Sequence, residues 1–272
     1  MSLIGVIILI LAIIVYFVKI KSNIDTFQQE NRRVVLKDIP WYFLTTGKDI
    51  KRKTHMYQEF HDMDLKEVNP VLIDENISKL QSAASGFCKM IDRGLREQDY
   101  KSPFKPFILL EDDVSRYRGF PKYIDIPHNC DILYIGLSKW GIPSNGNIGR
   151  YNHVFFEYID KDFIKIENML SIHGVMVCSP AGANAMTKCI SEDFFKNIAC
   201  DISIAKTLNM YHVYALREPL VYQDRNYRGV EESTRFDLLS TAQKNESVKA
   251  QGDFNILTNI HTTFGRATSY IE

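Results

Sequence analysis

The 272-residue chain carries 33 basic against 33 acidic side chains and is 45% hydrophobic, the composition of one folded domain with an appendage. Zero formal charge argues against a general nucleic-acid binder, which needs a basic excess for its phosphate contacts. Cys88, Cys130, Cys178, Cys189 and Cys200 are odd in number and form no C-x-x-C pair, which argues against a zinc cluster or a disulfide framework and predicts free thiols.

From Leu3 to Val18 no charge interrupts a run of branched apolar and aromatic residues. At 1.5 Å per residue that run is roughly 24 Å of helix, and with Ile20 and snorkelling Lys19 and Lys21 it becomes long enough to span a bilayer. Only Met1 and Ser2 precede it and no small-residue cleavage site follows, so residues 1–20 read as an uncleaved anchor rather than a signal peptide. Lys19, Lys21, Arg32, Arg33 and Lys37 lie on its carboxyl side, which places the body of the protein in the cytoplasm by the positive-inside rule. The sequons at Asn76 and Asn245 pull the other way, since they matter only in a lumen. Residues 21–38 are polar and read as a stalk, leaving 39–272 as the folded domain.

The domain opens on an apolar strand, Trp41 to Leu44, followed by Thr45, Thr46 and Gly47 and a basic helix start at Lys48, Lys51, Arg52 and Lys53. Exposed backbone N–H groups and cations at such a turn suit phosphate, although no P-loop or G-x-G-x-x-G spacing is present. Leu80, Ala84, Phe87, Cys88, Ile91 and Leu95 then recur as a helical stripe. Phe107 to Leu110 is an unbroken apolar run that ends in Glu111, Asp112 and Asp113 before Val114, which predicts a buried strand tipped with acid. On a continuing pleat Glu111 and Asp113 face one side and Asp112 the other. A second apolar run follows at Asp131 to Leu137, then a Gly- and Pro-rich loop over 141–149 and a third strand at Gly174 to Cys178. Ser179-Pro180 is a helix start with Ser as cap. Another helix is expected to open at Ser191-Glu192-Asp193, burying Phe195, Ile198, Ile202 and Ala205 and leaving Asp201 at the edge of that stripe. Short strands at 213–216 and 220–222 close the pattern, and the tail from Gly229 is polar. Strands alternating with helices indicate an α/β fold.

Ligands of open α/β sheets gather beyond the carboxyl ends of strands, so the three acids sit where a ligand would. Crowded carboxylates need a counter-charge, and hard divalent ions take one or two of them together with substrate phosphates. Glu111 and Asp113 therefore read as a Mg²⁺ or Mn²⁺ site, against the plainer reading of a solvated strand end.

Taken in order, Pro106 to Val114, Asp131 to Gly136, His173 to Ser179 with Gly182-Ala183, Asp201 and Pro219 to Gln223 resemble the family 25 glycosyltransferases, which include lipooligosaccharide and collagen galactosyltransferases. The resemblance covers residues 40 to 225. It implies a GT-A-like (Rossmann-like) mixed sheet flanked by helices, a nucleotide-sugar donor such as UDP-galactose, Mn²⁺, and a glycan or protein acceptor. By the same resemblance Glu111 and Asp113 hold metal and ribose with Asp112 beside them, Thr45, Thr46 and Arg52 meet the nucleotide, and Asp201 falls on the acceptor side. An inverting transfer needs a carboxylate to take the acceptor proton. Asp201 is the candidate, with Glu192 or Asp193 as alternatives, and His173 is a candidate further metal ligand. The Ser-His pair that many members carry before the acidic strand is replaced here by Ser82-Ala-Ala-Ser85-Gly86. Two competing readings are a nucleotidyltransferase and a membrane-tethered binding module without catalysis.

Overall fold

In a computed structural model, the described residues are 31–65, 68–116, 119–137, 140–141, 152–153, 155–170, 172–223, 260–263 and 266–269. The anchor expected over 1–20, most of the loop expected over 141–149, the sequon at Asn245 and most of the polar tail lie outside them. Among the described residues no helix is long and apolar enough to cross a membrane.

The chain enters the fold at strand β1 (Arg32–Val35), followed by a single 3₁₀ turn at Leu36–Asp38. The stalk expected through residue 38 therefore gives way to folded chain at Arg32. The reason is apolar: Val34 and Leu36 are buried, and the Leu36 carbonyl accepts the indole N–H of buried Trp41 at 2.8 Å. Next come β2 (Trp41–Thr45), helix α1 (Ile50–Asp62), β3 (Val68–Leu72), helix α2 (Lys79–Arg96) and β4 (Phe107–Leu110). Strands β5 (Val114–Arg116), β6 (Tyr123–Ile126) and β7 (Ile132–Tyr134) follow, then the short β8 (Trp140–Gly141), β9 (Asn152–His153), β10 (Phe155–Tyr158) and β11 (Phe163–Asn168). The chain continues through β12 (Gly174–Val177), helices α3 (Pro180–Asp193) and α4 (Cys200–Ala205), β13 (Val213–Leu216), β14 (Val221–Gln223), β15 (Ile260–Thr263) and β16 (Arg266–Ser269).

Ten strands form one sheet in the order β15-β16-β10-β11-β13-β7-β12-β4-β2-β3. Strand β2 runs parallel to β3 and β4, and β7 runs parallel to β13, while β12 lies antiparallel between β4 and β7. The mixed α/β architecture with helices on the sheet agrees with the alternation in the sequence. Strands β2, β4, β7 and β12 are buried along their whole length, which is why they read as continuous apolar runs rather than alternating ones.

Each face of the sheet carries its own core. On one, α2, α3 and α4 contribute Phe87, Ile91, Met186, Ile190 and Ile204; on the other, α1 contributes Met56 and Phe60 beneath the β1–β6 ribbon. The cap expected at Ser179 forms, accepting from the Gly182 N–H, and Ser78 caps α2 in the same way by accepting from the Gln81 N–H. The helix expected to open at Ser191 is different. Residues 191–193 are the last turn of α3, a 3₁₀ turn at Phe194–Lys196 ends on Asn197 in the left-handed region, and α4 starts afresh at Cys200. Phe195 is 89% exposed, while Ile204 takes the buried position. Of the expected stripe, Ala205 is buried and Ile202 packs against the core, so the break displaces Phe195 and leaves the part of the stripe on α4 in place.

Candidate functional site

Strands β2, β4, β7 and β13 end at one edge of the sheet, and β12, running the other way, begins there. The three acids lie at this edge in a turn rather than on a pleat. Strand β4 stops at Leu110 because its partner β12 begins at Gly174, and the Glu111 N–H reaches only the His173 carbonyl, at 3.3 Å. Period-two alternation does not reach residues 111–113, so Asp112 is not turned away from its neighbours.

Both aspartates bind one guanidinium. Arg52 Nη1 lies 2.7 Å from Asp112 Oδ1 and Nη2 lies 2.7 Å from Asp113 Oδ2, with all three side chains largely buried. Arg52 is held in the first turn of α1, where its N–H donates to the Asp49 cap at 3.0 Å. The loop before α1 is shaped by its hydroxyls. Thr45 Oγ1 accepts from the Gly47 N–H, and Thr46 Oγ1 accepts from the N–H groups of Lys48 and Asp49 at 3.3 and 3.2 Å. Gly47 holds φ +75°, a conformation costly for any residue with a Cβ. Thr45 is buried and its hydroxyl favours ionised Asp112, whereas the Thr46 hydroxyl is engaged by the turn itself.

Gln223, at the end of β14, completes the cluster. Its Nε2 donates to Glu111 Oε2 at 3.0 Å and to Asp113 Oδ2 at 3.2 Å. Sequence reasoning gave Gln223 no role; the only signal was its place in the Pro219 to Gln223 stretch, and a lone amide carries no periodicity that would single it out. His55 and Ser115 are a second pair not foreseen, at 3.0 Å, but the same His55 nitrogen lies 2.8 Å from the Val114 carbonyl. That nitrogen is thereby a donor, and the pair fastens α1 to β5.

Electrostatically the turn holds more acid than base. Burial, then Asp113 and Asp201, push the Glu111 carboxyl well above the carboxylate range, against the pull of Arg52. Burial raises Asp112 to about 6, opposed chiefly by Arg52. Asp201, in the first turn of α4, acts on Glu111 and also on buried Tyr134 of β7, whose hydroxyl is raised by burial and by that carboxylate. Arg52 thus reaches the acidic turn from the α1 side of the sheet, and the charge of Asp201 on α4 is felt there from the other.

The alternative bases fare differently. Asp193 overcomes a burial penalty through hydrogen bonds from Lys196 and Lys206, at 2.8 and 2.9 Å, and is held down at about 2, too acidic to take a proton near neutrality. Glu192 is exposed at the end of α3, with Lys188 3.9 Å away. His173 is fully buried, which depresses its pKa to about 4, and its ring lies so close to Gly136 that a Cβ there would stand 2.3 Å from Nε2. Among the described residues no three His, Cys, Asp or Glu side chains converge on one ion, so His173 does not complete a metal shell with Glu111 and Asp113.

No protein-family model matches the chain, and no curated protein matches it in sequence. Among solved structures it is similar to A197 from STIV, with a TM-score of 0.38 and 13% identity over 68% of this chain and 84% of that one. It is also similar to CTP:phosphocholine cytidylyltransferase from Streptococcus pneumoniae, with a TM-score of 0.38 and 10% identity over 80% of this chain and 83% of that one. Likeness at this level assigns neither a family nor an activity.

Proposed function

We propose that the chain is a glycosyltransferase that moves a hexose, galactose by the family resemblance, from a nucleoside-diphosphate sugar to a hydroxyl of a glycan or protein. The observation that carries this reading is the acidic turn Glu111–Asp113 at the carboxyl edge of the sheet, with Arg52 bound to both aspartates and the charge of Asp201 raising Glu111. The topology supports a GT-A-like reading, with a largely parallel half-sheet interrupted by the single antiparallel strand β12. Residues 1–20 would tether the domain to a membrane, with its catalytic face in the cytoplasm.

The donor set suits a hard divalent cation. Glu111 and Asp113 offer carboxylate oxygens, Arg52 alone does not balance the surrounding acids, and Mg²⁺ or Mn²⁺ needs only one or two protein carboxylates when diphosphate oxygens supply the rest. Such an ion, when bound, stabilises the charge of the departing diphosphate. The protein's own groups do the remainder. The N–H groups of Gly47, Lys48 and Asp49 are taken up by the Thr45 and Thr46 hydroxyls, so this turn serves to hold the start of α1, whose Arg52 brings a positive charge to the acidic turn where the phosphates would lie. Asp201, half-buried and acting electrostatically on Glu111, takes the proton of the acceptor hydroxyl in an inverting displacement at the anomeric carbon.

The test is a panel of nucleotide sugars incubated with Mn²⁺, with released products separated. Nucleoside diphosphate, formed by slow hydrolysis without an acceptor, is the expected product. Pyrophosphate released in a parallel incubation with a nucleoside triphosphate and a sugar 1-phosphate would instead identify a nucleotidyltransferase, and ligand-induced thermal stabilisation without turnover would identify a binding module.

A further inference from the structure

We infer that the side-chain amide of Gln223 plugs the cation position between Glu111 and Asp113 and is exchanged out when the ion enters with its diphosphate. This rests on the metal-dependent reading above and adds to it the order in which the ligands bind. A single nitrogen, Nε2, donates to Glu111 Oε2 at 3.0 Å and to Asp113 Oδ2 at 3.2 Å. A primary amide carries two N–H donors, so one proton serves each carboxylate. These are the two side chains to which the cation is assigned, and a lone pair given to an N–H is not available to a metal. The amide nitrogen therefore stands where an ion bridging Glu111 Oε2 and Asp113 Oδ2 would stand, and plug and ion compete for that position.

The backbone allows the exchange. Gln223 pairs with Val114, and Val221 pairs with Arg116, in the antiparallel β14–β5 ladder, so the main chain stays fixed while only the side chain turns. With Gln223 on Glu111 and Asp113, and Arg52 on Asp112 and Asp113, the acidic turn is hydrogen-bonded from within and one of its charges is offset. A bare ion must displace this arrangement and also shed water, which Mg²⁺ does reluctantly. A diphosphate reverses the balance, because its oxygens complete the ion's shell and accept the N–H groups that Gln223 gives up. The protein then takes ion and nucleotide together and binds neither tightly alone.

The experiment titrates Mn²⁺ into the full chain and follows free Mn²⁺ by electron paramagnetic resonance, with and without UDP. Gln223→Ala removes the plug, and Gln223→Met removes the donors while keeping the side-chain length, which guards against a packing defect in the first variant. Both are expected to bind Mn²⁺ alone about tenfold or more tightly than the unmodified chain. Saturating UDP should close that gap. Equal Mn²⁺ affinity in all three proteins overturns the plug and leaves the metal-dependent reading standing. Weaker affinity in the Gln223→Met chain overturns it too, since the amide would then be assisting the ion. Uptake of no Mn²⁺ by any of them, with UDP present, overturns both.

Discussion

His173 shows how one buried side chain ties the site to the stability of the sheet. Its pKa of about 4 lies below the 6.5 of an exposed histidine, so between those values the unfolded chain binds the extra proton and the folded chain does not. Its contribution is fully present above pH 6.5 and is lost as the pH falls towards 4, by up to about 3 kcal/mol. Asp112, raised to about 6, works in the opposite sense, because the folded chain holds its proton more tightly and stability falls as the pH rises from about 4 to 6. The His173 contribution is isolated by comparison: urea unfolding of the unmodified chain and of His173→Gln, at about pH 7 and pH 4.5, should show the stability gap shifting in favour of the variant on acidification. Gly136 belongs to the same contact. An alanine there drives its methyl into the His173 ring, and Gly136→Ala should cost about 1–3 kcal/mol in a denaturant titration. At Asp113 two effects oppose each other. Carboxylate repulsion alone predicts that Asp113→Asn leaves stability unchanged or raised, but the ion pair with Arg52 Nη2 at 2.7 Å works against that, and a loss of about 1 kcal/mol is expected together with loss of Mn²⁺-dependent UDP binding. Calorimetric titration with and without Mn²⁺ checks the binding, and thermal unfolding checks the stability.

At the scale of elements, helix α1 and the β14–β5 ribbon carry the parts of the site that differ most in how well the sequence announced them. The strand Trp41 to Leu44, the Thr-Thr-Gly turn and the basic start of α1 were legible, because an apolar run, a turn residue and a cap follow one another locally. The acid cluster was legible as a cluster, since three adjacent carboxylates after Leu110 are conspicuous. Its geometry was not, because whether the pleat continues depends on where β12 begins, and the Gly174 that pairs with Leu110 lies far along the chain. Gln223 was illegible for the same reason: its partners are 112 and 110 residues away. The wrong start of the helix expected from Ser191, and with it the burial expected of Phe195, has a local cause, since nothing in the pattern marks Asn197 as left-handed. Arg52 invites a test at this scale. Arg52→Met keeps the volume but leaves Asp112 and Asp113 without their shared cation, and should destabilise the fold by about 3 kcal/mol at neutral pH. Part of that loss should be recovered on acidification, because without Arg52 the Asp112 carboxyl is raised further and takes up its proton more readily; unfolding curves at about pH 7 and pH 5 measure both.

For the whole molecule, the two-sided sheet explains why so much of the fold could be read from apolar runs while the start of the domain could not. Residues 32–38 look polar as a stretch, yet alternate residues are buried: Val34 and Leu36 face the core while Arg33 lies outside, paired with Asp125 at 2.8 Å. Arg32 reaches inward as well, donating to the Cys178 carbonyl at 2.8 Å. A chain beginning at residue 31 should therefore fold and remain in solution, whereas one beginning at residue 39, where the sequence alone would start the domain, should lose the β1–β6 ribbon and aggregate. Size-exclusion chromatography and circular dichroism of the two truncations decide between those boundaries.

Because β14 is knitted to β5 directly after the acidic turn, the site tolerates substitution and length change very differently. The link from Leu216 to Val221 is short, and the pairing of Gln223 with Val114 fixes which side chain faces Glu111. One residue added to that link would bring Tyr222 opposite Val114 and turn the amide to the far side of the ribbon, since a single-step slip inverts every side chain. An exchange of one side chain in that link leaves the register as it is, while an insertion or deletion of a single codon there should cost the site a residue that has not itself been altered. Lineages of this protein should accordingly vary here in spelling and not in length.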